Sequence, residues 1–124
     1  MQYVKKEDVK TEALVGRGLQ KVVGKNSYFE STQMSVGYAL YNADYGEMES
    51  HCHAEETVIV TKSKDGWIEW GNTKDNLTQR CKLEEGMIFH IPENEWHVFR
   101  YEPGGHVEII FIYGQTDQCR PEDK

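Results

Sequence analysis

The chain lacks most features that announce a partner. No run of positive charge is longer than Lys5-Lys6, and 14 Lys and Arg face 21 Asp and Glu, for a net charge of −7. Binding to a phosphate backbone or an anionic bilayer needs clustered cations, so neither nucleic acid nor a membrane surface is expected as a partner. Long apolar runs are missing too. The longest, Val107 to Tyr113, is broken by Glu108 and is far short of the ~20 residues of a spanning helix. No apolar segment follows the lysines of MQYVKKEDVKTE, so no secretory leader is read there.

Cysteine is scarce. Cys52, Cys81 and Cys119 are odd in number and form no CxxC pair, which argues against a disulfide framework and a cysteine zinc site. Reduced thiols in a cytoplasmic protein are the simplest expectation. Proline is rare, with 3 residues, and helical periodicity is nearly absent. Only the first dozen residues admit a short helix. No Ser–His–Asp order, P-loop or dinucleotide fingerprint occurs.

What remains is β-rich. A chain of 124 residues makes one domain. From residue 20 onward, short apolar-alternating runs are separated by Gly-, Asn- and Asp-containing breaks. The runs are Gln20–Val23, Gln33–Tyr41, Glu49–His53, Thr57–Thr61, Gly66–Trp70, Thr78–Leu83, Met87–Ile91, Trp96–Tyr101 and Val107–Tyr113. This pattern predicts an all-β fold, a small antiparallel double-sheet barrel of the jelly-roll kind. The expected layout is a barrel core over 33–114, an N-terminal arm over 1–32 and a polar, loosely held tail over 115–124. Small ligands bind in barrel mouths, so the site belongs among inward-facing polar residues.

The stretch Gly46-Glu-Met-Glu-Ser-His51-Cys52-His53-Ala54-Glu55-Glu56 carries the strongest chemical signal. Residues two apart on a strand share a face, so His51 and His53 present two imidazoles together and Cys52 points away. Two such rings with a nearby carboxylate make an incipient metal site. Alone, the pair reads equally well as a surface or cross-strand histidine pair. A second stretch, Gly86-Met-Ile-Phe-His90-Ile-Pro92-Glu-Asn94-Glu-Trp-His97, adds another histidine after a glycine and a proline.

Together the two stretches resemble the paired signature motifs of the cupin superfamily. Gly46, His51, His53, Glu56 and Gly66 follow the order of the first motif, and Gly86, Pro92 and His97 the spacing of the second. Three departures stand out: a short gap between His53 and Glu56, Asn94 in place of a turn glycine, and Tyr101 where the family often has Asn. The resemblance implies one divalent transition metal (Zn, Mn, Fe or Ni) held by His51, His53, Glu56 and His97. Glu56 is chosen because it directly precedes an apolar strand, with Glu55 as the fallback.

Around that site, Glu108 shares a strand face with Ile110 and Ile112, so it is either an inward acid–base candidate or a satisfied polar group. The hydroxyls of Tyr38, Tyr41, Tyr45 and Tyr101 are candidates for ligand contact, with core packing as the default for each. Glu108 and Tyr101 are the catalytic candidates. His90 is read as a core or surface residue and His106 as solvated. The functional expectation is a metal-dependent enzyme acting on a small polar metabolite, a sugar or oxo acid, of the isomerase, epimerase or lyase type. The alternatives are an Fe(II)-dependent dioxygenase and a non-catalytic, sugar-sensing ligand-binding protein. A homodimer is expected, with Ala13–Val23 supplying apolar residues for docking.

Overall fold

A computed structural model describes residues 1–114; the polar tail 115–124, with Cys119, lies outside the described residues. Eight strands run in chain order: β1 Glu12–Leu14, β2 Arg17–Gly24, β3 Phe29–Glu30, β4 Ser35–Tyr41, β5 Glu56–Gly71, β6 Gln79–Lys82, β7 Ile88–Ile91 and β8 Trp96–Tyr113. They form one sheet in the order β1-β2-β4-β8-β5-β6, with β3 beside β2 and β7 beside β5. All pairings are antiparallel except the two-residue β2–β3 contact. Among the described residues there is no α-helix, and the N-terminal segment makes only a 3-10 turn at Lys6–Asp8. No helix there is long and apolar enough to cross a membrane.

The sheet is cupin-like and curls around one core. Leu19 of β2 and Ile91 of β7 lie near opposite ends of the strand order, yet both belong to one buried cluster with Val58, Val60, Ile109 and Phe111. A flat sheet would keep those ends apart. Burial of this apolar face is the main stabilising term.

Two pairs of expected short strands are single long ones. Thr57–Thr61 and Gly66–Trp70 fuse in β5, and Trp96–Tyr101 and Val107–Tyr113 fuse in β8. The turn signals at Lys64-Asp65-Gly66 and Pro103-Gly104-Gly105 do not reverse the chain. They face each other as irregularities in the β5–β8 ladder, where Lys64 pairs with His106 and Gly66 with Tyr101. Asp65 takes φ +53° at this point. Residues that suit a turn also suit a bulge, which bends a strand without ending it.

The N-terminal residues are less of an arm than expected. β2 is hydrogen-bonded to β4 from Gly18↔Leu40 to Val23↔Val36, and its Leu19 is core. Conversely, Glu49–His53 is not a regular strand, and its one ladder contact is an isolated bridge between His51 and His97.

Candidate metal centre

That bridge is what joins the two histidine stretches. The His51 amide donates to the His97 carbonyl at 3.0 Å, and the His97 amide returns the bond at 2.9 Å. A second tie links the turn after Pro92 to the first stretch, where the Asn94 amide donates to the His53 carbonyl at 3.1 Å. Asn94 sits at φ +68°, a left-handed position that asparagine enters at lower cost than most residues. It thus serves where the cupin pattern has glycine.

The imidazoles converge. Ring centroids are 4.5 Å apart for His51–His97, 4.9 Å for His53–His97 and 5.2 Å for His51–His53. One nitrogen from each ring lies within 4.8 Å of the others. His53 and His97 are buried, as is Glu56. Glu56 Oε1 lies 3.4 Å from His53 Nε2 and 3.6 Å from His97 Nε2.

Backbone carbonyls fix which nitrogen faces the centre. His51 Nδ1 faces Glu49 O at 3.3 Å, His53 Nδ1 faces Ala54 O at 2.8 Å, and His97 Nδ1 faces Glu95 O at 2.8 Å. A carbonyl only accepts, so each Nδ1 carries a proton and each ring turns its Nε2 toward the centre. This is the outer-shell arrangement that orients metal-ligating histidines. Burial, reinforced by the His97 and His53 rings and the Arg17 guanidinium, pushes His51 from 6.5 down to about 2, against the opposing Glu49 carbonyl bond. The ring is therefore neutral at physiological pH, the form that ligates.

The donor set fits a cation. His97 Nε2 is buried and has no hydrogen-bond partner. His53 Nε2 has the Tyr113 hydroxyl as a distant donor at 3.5 Å. A buried carboxylate oxygen set against imidazole Nε2 atoms is stabilised when a positive ion sits between them. Two ligands about 2.0–2.1 Å from a common zinc ion at a tetrahedral angle lie about 3.3–3.4 Å apart, close to the Glu56–histidine separations of 3.4 and 3.6 Å.

The remaining candidates fall elsewhere. Glu55 is exposed and bonds His90 Nε2 at 2.7 Å, while Thr57 Oγ1 meets His90 Nδ1 at 3.3 Å. Of the two adjacent glutamates, only Glu56 reaches the imidazoles. Glu108 is on the outer, half-exposed face of β8 with Ile110 and Ile112, because Val107, Ile109, Phe111 and Tyr113 take the buried face. Its inward acid–base reading is therefore corrected. Tyr101 donates to the Gly46 carbonyl at 3.0 Å and lines a separate hollow with Glu47 and Met48. Burial raises its pKa above 10.0, with Glu47 adding to the effect. It does not reach the imidazole cavity, so its catalytic reading is corrected too.

That cavity measures about 20 Å³ and is walled by Leu19, Ala39, Phe99, Ile109 and Phe111, with Tyr41, Tyr113 and Arg17 as further polar members. Tyr41 was among the hydroxyls considered from the sequence, whereas Tyr113 and Arg17 were not singled out. Tyr113 shares a period-2 row with Ile109 and Phe111, a signal the sequence does carry. Arg17 precedes the expected start of its strand and carries no such signal.

No family model and no curated protein matches the chain. Solved structures do match. A protein from Planctomyces limnophilus superposes with a TM-score of 0.72 at 19% identity, covering 99% of this chain and 94% of that one. The polyketide cyclase RemF from Streptomyces resistomycificus gives 0.74 at 16% identity, covering 99% and 89%. Fe(II)-HppE with the alternative substrate (S)-1-HPP gives 0.69 at 14% identity, and the match spans 91% of this chain but only 60% of that enzyme. At such identities the likeness is one of fold.

Proposed function

We propose that His51, His53, His97 and Glu56 hold one divalent transition metal, and that the protein is a metal-dependent enzyme for a small oxygen-bearing metabolite. The observation that carries this reading is the convergence of three imidazoles, each oriented through Nδ1 by a backbone carbonyl, beside a buried carboxylate. When bound there, such an ion supplies Lewis acidity toward an oxygen of the substrate. The chain's own residues do the rest. The apolar wall of Leu19, Phe99, Ile109 and Phe111 excludes bulk water, which strengthens every charge interaction inside. The Ala54 carbonyl, 2.8 Å from His53 Nδ1, holds that ring's orientation. The small cavity, with the Arg17 guanidinium among its lining groups, favours a short oxo or hydroxy acid over a sugar.

Protein purified without a histidine tag and exposed to Mn, Fe, Ni or Zn salts is expected to retain about one ion per chain through gel filtration. Metal-loaded protein should then exchange the C2 proton of a short 2-hydroxy acid, or the C3 protons of a short 2-oxo acid, with D₂O, read by NMR. Metal retention no higher than in a His51→Ala, His53→Ala variant contradicts the metal reading. Retention with ligand-induced stabilisation but no turnover identifies a binding module instead.

One observation favours a second reading. His53, His97 and Glu56 alone form a two-histidine, one-carboxylate group with separations of 3.4 and 3.6 Å, the donor pattern of non-haem Fe(II) oxygenases. Oxygen uptake on adding substrate to anaerobically iron-loaded protein distinguishes it.

A further inference from the structure

Arg17 opens β2 on the same face as Leu19, and both line the imidazole cavity. Its side chain is buried, with 7% of its surface exposed. Nη1 donates to the Val15 carbonyl at 3.2 Å, but Nη2 is buried with no hydrogen-bond partner. Among the described residues no carboxylate lies within ion-pair distance of the guanidinium. A buried, always-charged group with open donors is strongly unfavourable unless something else neutralises it. The groups that share its cavity are the His51 and His97 rings, the Tyr41 and Tyr113 hydroxyls, apolar walls and a Glu56 carboxylate already turned toward His53 and His97.

We propose that Arg17 is the anion-recognition residue of this cavity and that the ligand is a small carboxylate. Resting on the reading of the cavity as a ligand site, it names the substrate's charge and the residue that reads it. A guanidinium presents two parallel N–H groups that match the two oxygens of a planar carboxylate. A dication and a guanidinium opposed by a single carboxylate leave the closed site positive, which a monoanionic or dianionic acid corrects. The same site disfavours neutral sugars, which leave Nη2 uncompensated.

The test uses the full chain, both EDTA-treated and metal-loaded, titrated with sodium acetate, oxalate, glyoxylate or phosphate against chloride at equal ionic strength. Acetate, oxalate or glyoxylate is expected to raise the melting temperature of the wild type saturably. Arg17→Met should abolish that rise or weaken the carboxylate roughly 30-fold or more, with metal content unchanged. Ligand-free Arg17→Met should melt at or above the wild type, since it removes an uncompensated buried charge; a purely structural arginine would lower it. Arg17→Lys keeps the charge without the fork and should bind carboxylate with intermediate affinity, which keeps the test readable if the methionine variant does not fold. Equal carboxylate shifts in wild type and variants overturn the proposal, and so does a wild type that answers only to phosphate or to no anion. A wild type that takes no metal but shows an Arg17-dependent carboxylate shift sinks the metal reading alone. Metal uptake without that shift sinks this one alone.

Discussion

Truncating His97 to alanine is expected to weaken divalent-metal binding by more than about 100-fold, since losing even an outer-shell partner of a ligating histidine costs 10–100-fold. His97 is the most buried of the three residues, with 1% of its surface exposed, and its Nε2 has no hydrogen-bond partner to lose. The backbone bonds that join it to His51 do not involve the side chain and survive the change. The loss should therefore appear in metal affinity far more than in folding. Competition with a chromophoric chelator measures it. The control is His90→Ala, whose ring lies on the exposed surface against Glu55 and Thr57, and which should leave metal affinity unchanged. Equal losses in the two variants would show that the effect is not local to the cavity.

Acid should unfold the metal-free protein through His51. The unfolded chain takes up a proton near 6.5, whereas the folded ring resists protonation down to about 2. Between those values the unfolded state binds more protons, so stability falls as pH falls below 6.5 and is unaffected by this group above it. The slope from one such ring is up to about 1.4 kcal/mol per pH unit. From pH 6.5 to pH 5 the loss is about 2 kcal/mol, a large part of a small domain's margin. Urea unfolding in EDTA at the two pH values measures it. His51→Gln, which cannot titrate, should show a smaller loss by about that amount. An identical pH response in the variant would mean that the ring is not held neutral by the fold.

The histidine cluster was legible because its parts are local. Period-2 spacing puts His51 and His53 on one side, and a glycine–proline–turn sequence delivers His97. The choice between Glu55 and Glu56 was only partly legible: Glu56 directly precedes an apolar strand, and the fold puts it on the inner face of β5 with Val58 and Val60. Glu108 was harder, since both faces of β8 from residue 107 to 113 are rich in apolar residues. Alternation there gives two rows without saying which is inside; the strand partners on either side decide it. The continuity of β5 and β8 was hidden because Asp-Gly and Pro-Gly-Gly serve turns and bulges alike. Arg17 was hidden most completely. Arginine is almost never buried without a counter-charge, so sequence composition gives no reason to place one in a core.

X-ray absorption at the edge of the bound metal tests the central claim most directly. The account predicts about three imidazole nitrogens and at least one oxygen in the inner shell, with zinc–nitrogen distances of about 2.0–2.1 Å if zinc is the ion. It also predicts one imidazole fewer in His97→Ala. A shell of oxygens alone, or one unchanged when His97 is removed, would contradict it.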